Sequence, residues 1–450
     1  MQETDVMVIG GSAAGIVAAT TAKSFNPEKN VMLVRKDAHV LVPCGIPYIF
    51  GTLENSRKNM IPDAVLSDAG IELKIDEVLA LDTANKTCST ANGSTIRFDK
   101  LILATGSNPV TPVWLEGAEL DNVFTIPKNK VYLDDLKSRL EVCQKIAVVG
   151  GGFIGVELAD ELRKTGKEVL LIEMMPHILS AAFDAELAEK AEEVIASRGI
   201  EVKTGSGIKQ IRGDKKVSEL VLNNSEILSA DAVILSVGYK PNSTLAADSG
   251  LPINDLGFIK VNEYMRTENP DIFAVGDCAE KYSFVTRTLK GTMLASTSCA
   301  EARIAAMNLY QLSTVRSFGG TVAIYCTAIG DTALGAAGVT ENLARERRFD
   351  VVTGSFQGVD RHPGTLPDTR PQTVKLIASR DSGTVLGGEV IGGKSTGELT
   401  NLIGFIIQNR MTVDAVLTAQ IGTHPLLTAP PTAYPLIKAA EIIARKRKGI

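Results

Sequence analysis

In the apolar run VLVPCGIPYIFG, Val40 to Gly51, a single thiol, Cys44, lies between a proline and a glycine. Such a thiol can pack in a core, close a disulfide or act as a nucleophile. Only the thiolate is a useful nucleophile, and a free pKa of roughly 8.5 leaves a few per cent ionised at neutral pH. Pro43 restricts the approach to Cys44, Gly45 leaves room beside it, and GIPYIFG predicts a helix whose N-terminus would stabilise the thiolate. From these residues alone a buried structural cysteine is the commoner reading. The other cysteines, at 88, 143, 278, 299 and 326, form no CxxC, and the four histidines, at 39, 177, 362 and 424, lie far apart. Neither a zinc site nor a secreted disulfide framework fits, and no metal is expected.

Two stretches have the glycine spacing that admits a diphosphate. KIAVVGGGFIGVELADELRKTGKEVLLIE sets Gly150, Gly152 and Gly155 between a strand and a helix and ends its next strand at Glu173. The first glycine turns tightly, the second lets a diphosphate approach the backbone, the third lets helix and strand pack, and the helix amides face the charge. Glu173 would accept hydrogen bonds from a ribose and repel a 2′-phosphate, which favours NADH over NADPH. DVMVIGGSAAGIVAATTAKSF repeats the grammar with Gly10 and Gly15 in place and Ser12 between them, but Arg35 stands where the ribose acid is expected. Arg35 could stack on an adenine or reach a phosphate; otherwise this copy is only scaffold. KLILATGSNP, with Ala104, Thr105 and Gly106, AVILSVGYKPN, with Gly238, and ENPDIFAVGDCAE, with Gly276 and Asp277, are further strands that run into glycine turns.

At 450 residues and 44% hydrophobic content, the chain can bury sizeable cores and divides into about three domains. A formal charge of −5, from 47 basic and 52 acidic residues, gives no general attraction to nucleic acid or an anionic membrane. No stretch reaches the ~18 apolar residues of a membrane span. The start MQETDVMVIGG shows no charged leader or cleavage site, so a cytoplasmic protein is expected.

In order, GGSAAG, CGIPY, ATGSNP, GGGFIGVE, SVGYKPN and IFAVGD resemble the pyridine nucleotide-disulfide oxidoreductases, FAD-containing proteins with two nested dinucleotide folds. A lone cysteine before GIPY is similar to the single-cysteine branch: coenzyme A disulfide reductases, NAD(P)H sulfur or persulfide reductases, NADH oxidases and NADH peroxidases. The implied fold class is α/β, two nested Rossmann-like dinucleotide-binding domains plus a C-terminal α+β dimerisation domain. Residues 1–112 and 242–315 would hold FAD, 113–241 would hold NAD(H), and 316–450 would form the interface of a homodimer. By the same resemblance Gly10, Ser12, Ala13, Ala14 and Gly15 lie at the FAD diphosphate, Arg35 and Lys36 are further FAD contacts, and Ala104, Thr105 and Gly106 lie near the flavin nucleotide. Asp277 would bond the ribityl chain, and Leu294 and Ala295 would pass along the pyrimidine edge. Gly150, Gly152, Phe153, Ile154, Gly155, Glu173 and Gly238 would hold NAD, with Phe153 and Glu157 where nicotinamide meets the flavin.

The resemblance implies hydride transfer from NADH to flavin and two electrons passed to Cys44, oxidised as a mixed disulfide or a sulfenic acid. Oxidases and peroxidases of this branch carry a histidine where this chain has Ala13, which favours disulfide and persulfide reduction. Coenzyme A disulfide reductases carry a serine where Val40 stands, and Lys23 is the one basic candidate for phosphate contact along the first helix. The expected substrate is therefore a persulfide, polysulfide or small disulfide, with coenzyme A kept open as its thiol. In IGTHPLLTAPPTAYP, His424 resembles a proton donor acting across the dimer but lacks the expected glutamate partner, so a capping or packing histidine is an equal reading; Thr428 replaces a tyrosine, Tyr434 could supply the missing hydroxyl, and His362 is a further candidate. Two other functions stay open: an NADH oxidase or peroxidase using a Cys44 sulfenic acid, and a flavin-bearing, NADH-responsive binding protein.

Overall fold

The computed structural model describes residues 1–450. Val6, Met7, Val8 and Ile9 are the buried end of the strand Gln2–Ile9, the unbroken apolar run required of a strand covered on both faces. It lies inside a seven-stranded sheet ordered Glu72–Ile75, Val31–Arg35, Gln2–Ile9, Thr95–Leu103, Thr87–Thr90 and Val78–Asp82, with Ile272–Ala274 also on Thr95–Leu103. Val8 faces Leu33 on one side and Ile102 on the other. Ile272–Ala274 returns from far along the chain and pairs parallel, Phe273 against Ile102. That return brings Gly276 into contact with Ala14, so Asp277 arrives beside the first glycine loop.

A second sheet, parallel throughout, runs Glu201–Lys203, Glu168–Ile172, Lys145–Val149, Ala232–Leu235 and Val123–Thr125. In each sheet a central strand turns through glycine into a helix, Ala13–Phe25 in the first and Phe153–Lys164 in the second. These are the two Rossmann-like units. Where the chain passes between the sheets, Ser107–Pro109 pairs antiparallel with Tyr239–Pro241. The C-terminal part is a five-stranded antiparallel sheet, Tyr325–Ile329, Thr332–Gly338, Val385–Gly392, Pro371–Ser379 and Val351–Val359, covered by helices Thr396–Gln408 and Pro435–Arg447.

Apolar packing crosses the sheet boundaries. One buried cluster joins Leu41, Ile46, Ile49 and Phe50, which flank Cys44, to Val156 and Leu158 of the second Rossmann helix and to Leu334 and Ile391 of the C-terminal sheet. At about 1.5–3 kcal/mol for each large side chain buried, this packing seats the Cys44 segment on the second unit. No helix is long and apolar enough to cross a membrane.

Candidate active site

Cys44 occupies a short 3₁₀ turn, Pro43–Gly45, followed by another, Pro47–Phe50. These replace the helix expected from GIPYIFG, because Pro43 and Pro47 each lack the amide that a continuous helix needs. Val42 N–H donates to Asn59 O at 2.9 Å, and Asn59 Nδ2 donates to Val42 O at 3.0 Å. A Cβ on Gly45 would lie 1.9 Å from Asn59 Oδ1, so glycine beside the cysteine is a packing requirement. Farther on, Thr52 donates its N–H and its hydroxyl to Glu161, buried on the second Rossmann helix, at 2.6 and 3.0 Å.

Cys44 is solvent-accessible yet closely walled by protein, and like the chain's other cysteines it is unpaired. Burial and then Glu157 push its thiol pKa up, against the pull of Lys128. Activation by a helix N-terminus, expected from the sequence, is therefore not what the chain supplies.

Glu157 is half-buried, and its Oε1 accepts the Thr327 hydroxyl at 2.8 Å. Burial raises its carboxyl to about 7 although Thr327 pulls the other way; Glu161 adds repulsion. Tyr48 is pushed up to about 12 by burial and then by Glu157, so its hydroxyl keeps its proton across the neutral range. Four residues before Glu157, Phe153 stacks on Tyr325 at 5.1 Å between centroids and lies 6.2 Å from Phe183. Phe153 and Glu157 share a helix face, as Tyr325 and Thr327 share a strand face, so the C-terminal sheet backs this part of the site. Glu157 passes from mostly neutral to mostly charged between about pH 6 and 8. Glu157→Gln is therefore expected to speed Cys44 alkylation by iodoacetamide at the upper end of that range and not at the lower. Equal rates at both ends would place Glu157 outside the field acting on the thiol.

Both glycine loops are tight and uncapped. A Cβ on Gly10 (φ +116°) would meet Ala104 O at 2.1 Å, and one on Gly15 would meet Gly10 O at 1.8 Å. Gly150 (φ +106°) and Gly155 repeat this geometry, and Gly152 faces open space. The helices begin at Ser12 and Gly152 without a side-chain cap, which leaves Ala13, Ala14, Phe153 and Ile154 in first turns that suit an anion. Each loop fits a dinucleotide diphosphate.

Around the first loop, Thr105 Oγ1 donates to Asn242 O at 2.5 Å, and Gly106 O accepts Asn242 N–H at 2.9 Å. The side chain of Asp277, 12% exposed, accepts Ser107 Oγ and Lys128 Nζ, both at 2.7 Å. Burial opposes its charge, but Lys128 and then Ser107 hold its carboxyl below the usual range. Leu294 caps the helix Ala295–Met307. Glu173 accepts Gly151 N–H at 2.6 Å and Met175 N–H at 2.7 Å, which fixes its carboxylate at the second loop, while Gly238 (φ +107°) is exposed.

Arg35 behaves differently from the expected phosphate or adenine contact. It is buried, donates to Asp37 O and Ala38 O, both at 2.9 Å, and pairs with Asp63 at 2.8 Å. Its stem covers Gly11, where a Cβ would lie 2.4 Å from Arg35 Cδ. Arg35 thus forms the floor of the loop with its charge already paired; Lys36 is exposed and 3.9 Å from Glu77.

Two uncapped glycine cradles bracketing a thiol are matched by family comparison. Residues 4–302 match the pyridine nucleotide-disulphide oxidoreductase family and residues 324–434 its dimerisation domain. The chain belongs to the pyridine nucleotide-disulphide oxidoreductases. It is an NAD(P)H-dependent FAD oxidoreductase. An NADH oxidase from Methanocaldococcus jannaschii is 29% identical over 98% of this chain and 98% of that protein. An NAD(P)H coenzyme A polysulfide/persulfide reductase from Pyrococcus horikoshii is 29% identical over 97% of this chain and 98% of its own. Among solved structures, an NAD-dependent persulfide reductase from A. fulgidus has a TM-score of 0.90 at 28% identity, covering 99% of this chain and 84% of that one.

In this oxidoreductase the C-terminal candidates are held in contacts of their own loops and core. His424 is exposed; its N–H donates to Thr428 Oγ1 at 2.9 Å and its Nδ1 accepts Leu426 N–H at 3.3 Å, which makes a local turn. His362 N–H donates to Pro425 O at 3.1 Å, so the two histidine loops adjoin. Tyr434 packs on the C-terminal core and opens the last helix. Lys23 donates to Pro27 O at 2.9 Å and Lys29 O at 2.8 Å and closes its own helix end, away from the expected phosphate role. Sequence reasoning missed Tyr48 and Lys128 as neighbours of the thiol, and Glu161 as the anchor of its turn. The GIPY tyrosine was the one available signal, since Lys128 and Glu161 come from distant segments.

Proposed function

We propose that this oxidoreductase passes electrons from NADH to a disulfide, persulfide or polysulfide by way of Cys44. The observation that carries this is one accessible, unpaired thiol, on a turn anchored to the second Rossmann helix and flanked by Glu157 and Tyr48. FAD supplies the hydride acceptance and two-electron transfer that side chains lack. Gly10, Ser12, Ala13, Ala14, Gly15, Ala104, Thr105, Gly106, Asp277, Leu294 and Ala295 hold it. Gly150, Gly152, Ile154, Gly155, Glu173 and Gly238 hold NADH, with its nicotinamide at Phe153 and Glu157. The Cys44 thiolate attacks one substrate sulfur, breaks the S–S bond and forms a mixed disulfide. The leaving thiolate takes a proton from solvent at the accessible side of the site, with the protonated Tyr48 hydroxyl placed to hydrogen-bond the thiol. Two electrons then restore Cys44 and release the second thiol. The sum is NADH, a proton and a disulfide giving NAD⁺ and two thiols, or a thiol and hydrogen sulfide from a persulfide.

Ala13 supports thiol exchange over peroxide chemistry, because the first loop offers no histidine to a peroxide. Oxygen reduction through a Cys44 sulfenic acid is the second reading, favoured by the name of the M. jannaschii relative. Coenzyme A rests on the name of the P. horikoshii relative, and Lys23 gives it no support. The division into 1–112 with 242–315, 113–241 and 316–450 is part of the proposal, supported by sheet membership. So is a homodimer in which His424 serves the partner's Cys44, supported by the dimerisation-domain match.

Trapping tests the thiol step. NADH-reduced enzyme quenched during turnover with a disulfide should carry the substrate thiol on Cys44 by mass spectrometry; finding only oxygenated Cys44 would favour the second reading. Glu173→Ala is expected to raise the KM for NADH by roughly tenfold, equal to the loss of a ~1.5 kcal/mol charged hydrogen bond, and to narrow the preference over NADPH. Steady-state kinetics with both nucleotides check this.

A further inference from the structure

Asp184 reaches from the second Rossmann unit into the C-terminal sheet. Its carboxylate accepts Glu341 N–H at 2.9 Å and Asn342 N–H at 3.0 Å and pairs with Lys375 at 3.1 Å. Its own N–H donates to Glu389 Oε1 at 2.6 Å. Lys375 and Glu389 face each other on adjacent strands, and Lys375 also pairs with Glu341 at 3.1 Å. Asp184, Lys375 and Glu389 are all buried, and the reaction described above uses none of them.

Next to Asp184 in the chain is Phe183, against which Phe153 packs, and Phe153 stacks on Tyr325 of the sheet that grips Asp184. Tyr325 and Glu389 both line a cavity of about 50 Å³, together with Lys290 and Thr292. Glu389 Oε2 is buried without a hydrogen-bond partner.

We propose that Asp184, Lys375 and Glu389 are positioning residues for the nicotinamide end of the site: the C-terminal sheet grips Asp184 and so clamps Phe153 between Phe183 and Tyr325. This rests on the reading that nicotinamide binds at Phe153 and Glu157. Burial and then Asp184 raise the Glu389 carboxyl to about 8, so its ionisation sets a second negative charge beside Asp184. The charged and titratable groups around it are Asp184 and Glu186 from the Rossmann side, Lys375 on the adjacent strand, Glu341 with its partner Arg345, and Lys290 and Tyr325 across the cavity. The grip holds while Glu389 keeps its proton and loosens as pH rises through about 8.

Anaerobic stopped-flow on the FAD-loaded enzyme separates the halves of the cycle. Asp184→Asn is expected to weaken NADH binding or slow flavin reduction by roughly 2- to 30-fold. Dithionite-reduced Asp184→Asn should still be reoxidised by glutathione persulfide at the parent rate. In the parent enzyme NADH affinity should fall between about pH 7 and 9, and Glu389→Gln should abolish that fall. Unaltered NADH kinetics in Asp184→Asn, an equal loss in both halves, or the same pH profile in Glu389→Gln would each overturn the inference and leave the proposed function standing. A parent flavin that NADH does not reduce would overturn both.

Discussion

Cys44→Ser is expected to leave the protein yellow and reducible by NADH while lowering disulfide or persulfide turnover by at least on the order of 10³-fold, as for loss of a covalent nucleophile. The loss is chemical rather than structural. The bonds that fix the turn run from Val42 to Asn59 and from Thr52 to Glu161, and none uses the thiol sulfur. Serine is close to cysteine in size, so Ile46, Ile49 and Phe50 should stay packed beneath it. Its hydroxyl cannot form a mixed disulfide, and in a site that already raises a thiol pKa it would scarcely ionise. Steady-state turnover set beside anaerobic NADH reduction measures the split. Full disulfide turnover in the variant would remove the thiol mechanism.

Lys281→Met should have the largest structural effect, a destabilisation approaching about 3–5 kcal/mol at alkaline pH, where breaking this fully buried ion pair leaves a charged Glu301 behind. The Lys281 ammonium donates to Gly276 O at 2.9 Å and Ala279 O at 2.7 Å and lies 3.6 Å from Glu301, whose other oxygen accepts Gly276 N–H at 2.8 Å. Together they hold from behind the turn that presents Asp277. Burial outweighs Lys281 and raises the Glu301 carboxyl to about 7, so without Lys281 it would keep its proton still more firmly. A folded pKa above the unfolded one means that the contribution of Glu301 to stability is full below the unfolded value of 4.5 and is lost as pH rises through about 7. The variant should lose FAD on gel filtration and unfold at lower denaturant. Adding Glu301→Gln should recover stability only at pH above the raised Glu301 pKa, where the carboxyl would otherwise be buried, charged and unpaired, and little below it. An unchanged midpoint in Lys281→Met would show that the pair does not support the turn.

What could be read before the structure was local in sequence. The glycine spacing, the strand before it and Glu173 after it lie within one strand-turn-helix unit, and Gly10, Gly15, Gly150 and Gly155 occur in the tight geometry that such spacing demands. The turn at Cys44 was misread because an apolar run has the same composition in a helix and in two proline-started 3₁₀ turns. Arg35 looked free for a phosphate because its partner, Asp63, is brought to it only by the fold. The same holds for the ion pair of Lys128 with Asp277 and for the hydrogen bonds from Thr52 to Glu161 and from Asp184 N–H to Glu389: polar contacts between distant segments leave no periodic trace. The shift at Cys44 follows from burial and from Glu157, Lys128 and Asp277, all set by the fold, which is why its sign was not legible.

Thiol chemistry at Cys44 is tested most directly by reducing the enzyme anaerobically with NADH and mixing it, in parallel, with oxygen, peroxide, coenzyme A disulfide, glutathione persulfide and polysulfide. The expected result is that a persulfide, polysulfide or disulfide reoxidises the flavin fastest and that this reaction disappears in Cys44→Ser. Fastest reoxidation by oxygen or peroxide, with the sulfur compounds no quicker than buffer, would contradict it.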